Sequence, residues 1–241
     1  AEPPIPSGGT IGILGGGQLG RMLALAARPL GYRIAIQDPD PACPAAALAD
    51  EQIVAPYHDA AAAARLASLS DVVTYELEHV SLDAAGAVDE LRPIRPSVFA
   101  LAMTQDRISE RRFLEGLGIP IAPWREVRSL AGLVAGVEAL GTPLRLKVAI
   151  GGYDGRRQVR IAGDTTAERN AAVQAAWAEL ASAALANGLV LEREVTFRDE
   201  LSVVVVTDLA GRQVAYPVAR NVHDEGILIE SVAPAPGPRS I

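Results

Sequence analysis

The chain has 241 residues, of which 49% are hydrophobic and only 4% aromatic, and its formal net charge is −7. The acidic balance excludes a general electrostatic attraction to nucleic acid or to acidic membranes, so we expect neither as a partner. The single cysteine, Cys43, excludes an internal disulfide, and no apolar run in the sequence has the length of a membrane span. These features favour a cytoplasmic protein, and the scattered histidines predict no metal site.

A glycine turn follows the first predicted strand. Thr10 to Leu14 reads as a short buried strand, and Gly15 to Gly20 (GGGQLG) comes directly after it and before a helical pattern. A second predicted strand, Tyr32 to Gln37, ends beside Asp38, where a Rossmann fold places its ribose-binding acid. The pattern predicts a Rossmann-like parallel sheet. An NAD(P)-dependent oxidoreductase that uses Gly15, Gly17, Gly20 and Asp38 stays open as an alternative.

Two glutamates follow the next buried strand. Asp71 to Tyr75 predicts the strand, and Glu76 and Glu78 come just after it. Because ligands of open parallel sheets bind outside the carboxyl ends of the strands, these acids are expected on the same rim as the glycine turn. They point the same way if the strand continues. A solvated loop followed by a helix is the alternative.

The remaining elements alternate between strands and helices. We expect the helix Gln105 to Gly118 to bury Ile108, Phe113, Leu114 and Leu117 on one face. The others, in chain order, are a helix Ala45 to Ala49, a strand Glu51 to Ala55, a helix Ala60 to Ala67, a connector Leu91 to Ser97, a strand Ile121 to Val127, a helix Leu130 to Leu140, a helix Thr166 to Ala186 and a strand Gly188 to Glu192.

A second glycine loop follows an alternating strand that carries a lysine. Leu144 to Val148 predicts a strand with one buried face, and Lys147 is the cation on its other face next to the loop. The chain then turns at Gly151 to Gly155 (GGYDG) and returns as Gln158 to Ile161. Backbone N–H groups of such a loop can bind an anion, and the lysine adds a point charge for phosphate oxygens. We interpret the segment as a phosphate-binding loop, with a decorated hairpin as the alternative.

Acidic residues flank the linker that follows. Glu192 ends one predicted strand and Glu200 begins the next. A fixed carboxylate is a good acceptor for the two hydroxyls of a ribose, and the backbone of a linker can bind an adenine edge. The last predicted strands are antiparallel: Ser202 to Thr207, Gln213 to Pro217 and Ile227 to Val232, with Asp208 to Arg212 as a hairpin turn.

Six stretches together resemble the N5-carboxyaminoimidazole ribonucleotide synthases of purine biosynthesis, which are ATP-grasp enzymes. They occur in the family's order over nearly the whole chain. The stretches are GGGQLGRML at Gly15 to Leu23, TYELEHV at Thr74 to Val80, QDRISERRFLEGLGIPIAPW at Gln105 to Trp124, LKVAIGGYDGRRQ at Leu146 to Gln158, LEREVTFRDELSV at Leu191 to Val203 and NVHDEGILIESVAPAP at Asn221 to Pro236.

The resemblance implies an ATP-dependent carbon–nitrogen ligase. ATP, bicarbonate and aminoimidazole ribonucleotide would give ADP, phosphate and the N5-carboxylated ribonucleotide through carboxyphosphate, with Mg2+, in a homodimer. The implied fold class is α/β: a Rossmann-like pre-ATP-grasp parallel sheet, then an ATP-grasp lid and the first strands of the ATP-grasp C-terminal sheet. The corresponding domains are the Rossmann-like domain at residues 1–96, a connector with the start of the ATP-grasp domain at 97–142, the lid at 143–195 and the incomplete C-terminal subdomain at 196–241.

The resemblance also implies roles for individual residues. Lys147 and Arg156 would be catalytic. The ATP-binding residues would be Arg107, Lys147, Gly152, Tyr153, Asp154, Gly155, Arg156, Arg157, Gln158, Glu192, Arg193, Glu194, Val195, Glu200 and His223. The residues that bind the ribonucleotide would be Gly17, Gln18, Leu19, Glu76, Tyr153, Asp154 and Arg156.

The sequence departs from the family at two places. Arg157 stands where the family loop has a glycine, which replaces a freely rotating backbone with a restricted one. The family also continues beyond Ile241 into a portion that holds the acidic Mg2+ ligands and further contacts to the ribonucleotide phosphate. The sequence therefore predicts no metal ligands, and a non-catalytic nucleotide-binding fragment is a second alternative.

Overall fold

The computed structural model describes residues 5–151, 157–224 and 226–237. They form two compact units, which we call the N-terminal unit (the described residues up to Phe113) and the C-terminal unit (the described residues from Leu114 onwards). Within the described ranges, every helix is either too short or too polar to span a membrane.

The N-terminal unit contains a four-stranded parallel sheet in the order β3-β2-β1-β4. Its strands are rich in Ile and Val, which suit a sheet buried on both faces. Ile13, Leu14, Ile34 and Ile36 are fully buried. The strands are β1 (Thr10–Leu14), β2 (Arg33–Asp38), β3 (Glu51–Val54) and β4 (Val72–Tyr75). The parallel N-terminal sheet predicted from the sequence is therefore confirmed.

Helices cover the two faces of this sheet. One face packs against α1 (Gln18–Ala27), and the other packs against α2 (Ala60–Ser68), α3 (Leu82–Asp89) and α4 (Val98–Gln105). Side-chain oxygens of Asp59, Ser81 and Ser97 accept backbone N–H groups in the first turns of α2, α3 and α4. Such caps satisfy donors that a helix leaves without an internal partner, and they fix where each helix begins.

Two predicted helices of this unit are wrong in detail. The segment Gln105 to Gly118 is divided between α4 and α5 (Arg107–Gly116), because Asp106 is extended and its carboxylate accepts the N–H of Ile108 as a cap. Only Ile108 of the predicted apolar face is buried, and Phe113 and Leu117 are 40% and 59% exposed. The segment Ala45 to Ala49 forms a single 3-10 turn, Ala46–Leu48, since Ala49 is already extended towards β3.

The C-terminal unit contains a four-stranded antiparallel sheet in the order β5-β8-β6-β7. One face packs against α6 (Leu130–Leu140) and α7 (Thr166–Ala186), whose predicted bounds are confirmed. In β6 (Leu144–Val148) the leucines and the valine are buried towards the helices, and Arg145 and Lys147 lie on the opposite face. The other strands are β5 (Trp124–Val127), β7 (Gln158–Ile161) and β8 (Leu189–Arg193).

The last strands form two small antiparallel sheets, β10-β11 and β13-β12-β9. The single strand predicted at Ser202 to Thr207 is wrong: it is split between two sheets, and a strand beginning at Ala219 was missed. The hairpin around Asp208 to Arg212 is confirmed, because Val205 pairs with Ala215 on either side of it. The strands are β9 (Glu200–Ser202), β10 (Val205–Thr207), β11 (Gln213–Ala215), β12 (Ala219–Asp224) and β13 (Ile227–Val232).

Candidate functional site

Asp38 anchors the glycine turn after β1 by hydrogen bonding. The Oδ2 atom of Asp38 accepts the backbone N–H of Gly16 at 2.7 Å and the hydroxyl of Tyr57 at 2.7 Å. Its Oδ1 atom accepts the N–H of Asp40 at 2.8 Å, and the residue is only 4% exposed. These donors occupy most of the acceptor capacity of a carboxylate. Asp38 is therefore not placed to bind a ribose, which removes a main support of the oxidoreductase alternative.

Glu76 lies at the amino end of α1. Its carboxylate accepts the backbone N–H groups of Gly17 and Leu19, which lowers its pKa, but burial has the larger effect and raises the pKa overall. Helix N-termini attract anions because their N–H groups lack partners and carry positive partial charge. In this chain the anion is the protein's own carboxylate. The donors that would cradle a pyrophosphate in a dinucleotide-binding fold are thus already used.

The turn needs glycines because its neighbours approach so closely. Gly15 has a φ of +110°, and a Cβ there would meet the Glu76 carboxylate at 2.6 Å. A Cβ at Gly16 would collide with the Cys43 sulfur, and one at Gly20 with the carbonyl oxygen of Gly15. The motif glycines Gly15 and Gly17 thus make room for the Glu76 carboxylate and Gly20 for a backbone carbonyl, and Gly16, between the first two, makes room for the thiol. Gln18 and Leu19 at the tip remain exposed.

The two predicted rim glutamates have different surroundings. Because β4 ends at Tyr75, residues 76–79 form a bend and a turn, and the condition for Glu76 and Glu78 to point the same way is not met. The amide of Gln105 donates to the carbonyl oxygens of Glu78 and Val80 at 2.5 Å each and so anchors this turn. The α3 helix follows, as the alternative interpretation expected. Of the two acids, only Glu76 lies against the glycine turn.

In the C-terminal unit, Lys147 and Glu192 form an ion pair on the sheet face opposite the helices. The Lys147 side chain is 25% exposed and that of Glu192 is 10% exposed. A largely desolvated carboxylate needs such a partner, and the pair fixes the ammonium group at the end of β6. The structure therefore fixes the ammonium group of Lys147 at the end of β6, where the sequence predicted a positive charge.

The side chains beside this pair explain how the following linker is held. Glu194 accepts hydrogen bonds from Arg145 at 2.8 Å and from Arg160 at 2.7 Å. The hydrogen bond from Arg160 is the main reason that the pKa of Glu194 lies below its ordinary value. Arg193 points to the other side of the sheet and donates to the carbonyl oxygen of Leu140 at the end of α6. Val195 is 54% exposed.

A polar row crosses the small sheet of β9, β12 and β13. The Nδ1 atom of His223 lies 2.9 Å from the Glu200 carboxylate. Asn221, which pairs with Glu200 across the strands, donates to Ser202 and accepts from Ser231, both at 2.8 Å. Two residues that the sequence placed separately in a nucleotide site, Glu200 and His223, are thus brought into contact.

The remaining predicted site residues are placed as follows. Arg107 is half-buried at the first position of α5 in the N-terminal unit. Arg157 donates to the carbonyl oxygen of Gly151, and Gln158 pairs with Lys147 across β6 and β7. The predicted roles of Gly152, Tyr153, Asp154, Gly155 and Arg156 lie outside the described residues.

Sequence reasoning missed Tyr57, Arg145, Arg160 and Asn221. Arg145 could have been found, because it precedes Lys147 by two positions on a strand and so shares its face. Tyr57 could not, since its contact with Asp38 joins residues that are distant in the sequence.

Comparison with known families agrees with this architecture. Residues 9–105 match the ribonucleotide synthetase preATP-grasp domain, and residues 112–241 match the ATP-grasp domain. The chain therefore belongs to the ATP-grasp family, and the predicted fold class is confirmed.

Within that family, the predicted resemblance to N5-carboxyaminoimidazole ribonucleotide synthases is also confirmed. The chain is 45% identical over 229 residues to the Brucella melitensis protein of that name, covering 95% of this chain and 61% of the relative. A crystal structure of an ADP complex of such a synthetase matches with a TM-score of 0.87 at 39% identity, over 98% of this chain and 60% of that one.

A third relative has been solved with two ligands. The Aspergillus clavatus synthase in complex with ADP and 5-aminoimidazole ribonucleotide matches with a TM-score of 0.82 at 30% identity, over 96% of this chain and 58% of that one. The present chain thus spans about three fifths of the length of these relatives.

Proposed function

We propose that this chain takes part in the ATP-dependent carboxylation of aminoimidazole ribonucleotide by bicarbonate, giving the N5-carboxylated ribonucleotide in purine biosynthesis. Bicarbonate would first be phosphorylated to carboxyphosphate, and the exocyclic amine of the ribonucleotide would then take its carboxyl group. The reaction is a proposal because the chain spans only part of the relatives that carry this name. The ADP and ribonucleotide present in the solved relatives support it.

The observation that carries the proposal is the position of Glu76 at the amino end of α1. The Glu76 carboxylate uses the N–H donors of Gly17 and Leu19 that would otherwise be available to a phosphate. It presents a hydrogen-bond acceptor next to the exposed residues Gln18 and Leu19. Such a surface suits a substrate that presents an amine better than one that presents a pyrophosphate. We assign Gly17, Gln18, Leu19 and Glu76 to the ribonucleotide, and the resemblance adds Tyr153, Asp154 and Arg156.

ATP would bind through groups of both charge signs. Lys147 supplies a fixed cation for phosphate oxygens, and phosphoryl transfer depends mainly on such positioning and charge neutralisation. Glu200, oriented by its contact with His223, has the acceptor oxygens that ribose hydroxyls need. The remaining contacts rest on the resemblance: Arg107, the loop Gly152 to Gln158 with catalytic Arg156, and the linker Glu192 to Val195 along the adenine.

Glu194 and Arg193 would act through the backbone of that linker. Their side chains are engaged by Arg145 and Arg160 on one face and by the end of α6 on the other. These contacts fix the linker from both sides of the sheet. They are consistent with a backbone that binds an adenine edge and with side chains that do not.

Mg2+ is the metal that we expect with ATP. Among residues 5–151, 157–224 and 226–237, no group of three His, Cys, Asp or Glu side chains is close enough to hold a metal ion. The described residues therefore do not fit a complete metal site, and we assign no step to the metal. The division at residues 96, 142 and 195, the homodimer and the cytoplasmic location also stay proposals based on the resemblance.

Two measurements test the function. Calorimetry should show separate binding of ATP and of aminoimidazole ribonucleotide, and no binding of NAD(P) at millimolar concentration. Phosphate release from ATP should then depend on both bicarbonate and the ribonucleotide. Binding without release would favour the non-catalytic alternative, and NAD(P) binding in place of ribonucleotide binding would contradict the proposal.

A further inference from the structure

Asp38 determines where the backbone of the glycine turn runs. Its Oδ2 atom holds the N–H of Gly16 at 2.7 Å, and the carbonyl oxygen of Gly16 accepts the N–H of Ala45 at 2.9 Å. The preceding N–H, that of Gly15, donates to Gln37 at 3.0 Å. Both backbone polar groups of Gly16, its N–H and its C=O, are therefore hydrogen-bonded before the chain turns outward. The direction in which Gln18 and Leu19 leave the sheet follows from this anchor.

Tyr57 connects the same anchor to the segment that carries Glu76. Its hydroxyl donates to Asp38 at 2.7 Å, and its carbonyl oxygen accepts the N–H of Ser81 at 3.2 Å at the end of the Glu76 turn. Burial, followed by the hydrogen bond to Asp38, raises the pKa of the phenol far above its ordinary value. The hydroxyl is thus a permanent donor at physiological pH. The side chain of Tyr57 thus supports Asp38, and the backbone of Tyr57 supports the turn that carries Glu76.

We propose that Tyr57 and Asp38 are positioning residues for ribonucleotide binding: they hold the Gly17–Leu19 tip and Glu76 in register without touching the ligand. This inference rests on the proposed function. Three donors already occupy most of the acceptor capacity of the buried carboxylate, and one of these donors is the Tyr57 hydroxyl. Binding sites lose affinity when the residues that support them shift by even a fraction of an ångström.

The test uses Tyr57→Phe, which removes one hydroxyl, and Tyr32→Phe as its matched control. The Tyr32 hydroxyl donates to the carbonyl oxygen of Ile5 at 3.0 Å, beside the amino end of β2, whereas Asp38 is at the carboxyl end. For Tyr57→Phe we expect aminoimidazole ribonucleotide to bind about 5- to 10-fold more weakly by calorimetry, the scale of one lost hydrogen bond. ATP affinity should stay the same, and NMR should show faster hydrogen exchange at the Gly16 N–H. Tyr32→Phe should change none of these values.

In Tyr57→Phe a water molecule can replace the lost hydroxyl as a donor to Asp38 and hide the effect of the change. A second variant, Asp38→Asn, therefore alters the carboxylate itself. The amide of this variant would direct an N–H2 group at donors whose hydrogen bonds Asp38 accepts. We therefore expect a larger loss of ribonucleotide affinity and faster hydrogen exchange at the Gly16 N–H. The far-UV circular dichroism should stay unchanged, which shows that the variant is folded. Unchanged ribonucleotide affinity in Tyr57→Phe and in a folded Asp38→Asn would overturn this inference but not the proposed function. If Asp38→Asn does not fold, Tyr57→Phe decides. Absence of ribonucleotide binding by the unaltered protein would overturn the proposed function, and the inference with it.

Discussion

Lys147 of β6 and Glu192 of β8 form an ion pair between diagonal positions of two antiparallel strands. Glu192 is directly opposite Arg145, and Lys147 is directly opposite Val190. Long side chains bridge such diagonal positions readily. Because the Glu192 side chain is only 10% exposed, the lysine both compensates a buried charge and is itself held in one place. These two roles can be separated by mutation.

Lys147→Met keeps the length of the side chain and removes the cation. Under the proposed function we expect it to cost about 2 to 4 kcal/mol of transition-state stabilisation, roughly a 30- to 1,000-fold loss of rate. The Glu192 carboxylate, of which only 10% is exposed, also loses its ion pair with Lys147, so the midpoint of thermal unfolding should fall. Coupled phosphate release and calorimetric melting measure the two effects.

The double variant Lys147→Met with Glu192→Gln is the control for stability. It also removes the carboxylate charge with which Lys147 was paired, so it should recover part of the lost melting temperature while the rate stays low. A Lys147→Met protein with unaltered turnover would show that the ion pair has only a structural role.

Glu76→Gln tests the ribonucleotide assignment. The variant keeps the shape of the side chain, but it loses the charge and can direct an N–H2 group at the N–H donors of Gly17 and Leu19. We expect about 10-fold weaker binding of aminoimidazole ribonucleotide and unchanged ATP binding, since the charged hydrogen bonds of one carboxylate are lost. Glu78→Gln, two residues later and with a side chain that is 44% exposed, should change neither affinity. Equal loss of both affinities in Glu76→Gln would indicate general damage and contradict the assignment.

Glu194 should give the C-terminal unit a pH-dependent contribution to stability. The hydrogen bond from Arg160, opposed by burial and aided by Arg145, lowers the pKa of Glu194 in the folded protein. A carboxylate with a lowered folded pKa stabilises the protein above its unfolded pKa, and this stabilisation is lost as the pH falls through the folded value. Glu194→Gln should therefore lower the free energy of unfolding by about 1 kcal/mol near pH 7. The difference from the unaltered protein should shrink below the ordinary value of 4.5.

Urea unfolding at several pH values measures that difference. Glu138→Gln on the exposed side of α6 serves as the control and should have little effect at any pH. A deficit of Glu194→Gln that stays constant from neutral pH to pH values well below 4.5 would contradict the charge-based explanation.

Local patterns predicted those elements whose boundaries are set by nearby residues. The helices Leu130–Leu140 and Thr166–Ala186 begin after Ser129 and Thr165, whose side chains cap them, so the sequence alone locates their starts. Alternation in Leu144–Val148 likewise identified the buried face. The break at Asp106 was missed because an acid within an amphipathic pattern can cap a new helix or remain solvated, and periodicity does not distinguish these outcomes.

In the candidate site, too, the local sequence identifies some residues, whereas the roles of others depend on tertiary contacts. Lys147 could be identified because its charge and the adjacent glycines are contiguous in the chain. The use of Asp38 was misread under the oxidoreductase alternative, because its partners Gly16 and Tyr57 lie 22 and 19 residues away. A motif specifies residue types, whereas the hydrogen bonds that decide their roles come from tertiary contacts.

The close packing of the glycine turn leads to a prediction about which substitutions can be rescued. Gly16→Ala should destabilise the N-terminal unit by about 1 to 3 kcal/mol, because its Cβ would collide with the sulfur of Cys43. Gly20→Ala should destabilise it at least as much, since its Cβ would collide with the backbone carbonyl of Gly15. Chemical unfolding followed by the fluorescence of an added dye or by circular dichroism gives the free energies.

Only the first of these collisions involves a side chain that can be shortened. Cys43→Ala removes the sulfur and leaves its Cβ at 3.1 Å from the new methyl group and Ile36 Cγ2 at 3.2 Å, so small shifts suffice. The pair Gly16→Ala and Cys43→Ala should therefore be more stable than the sum of the single changes predicts. The same cysteine change should not rescue Gly20→Ala, because a carbonyl oxygen of the main chain cannot be removed. Additive losses in the Gly16 pair would show that the turn is limited by its backbone and not by the thiol.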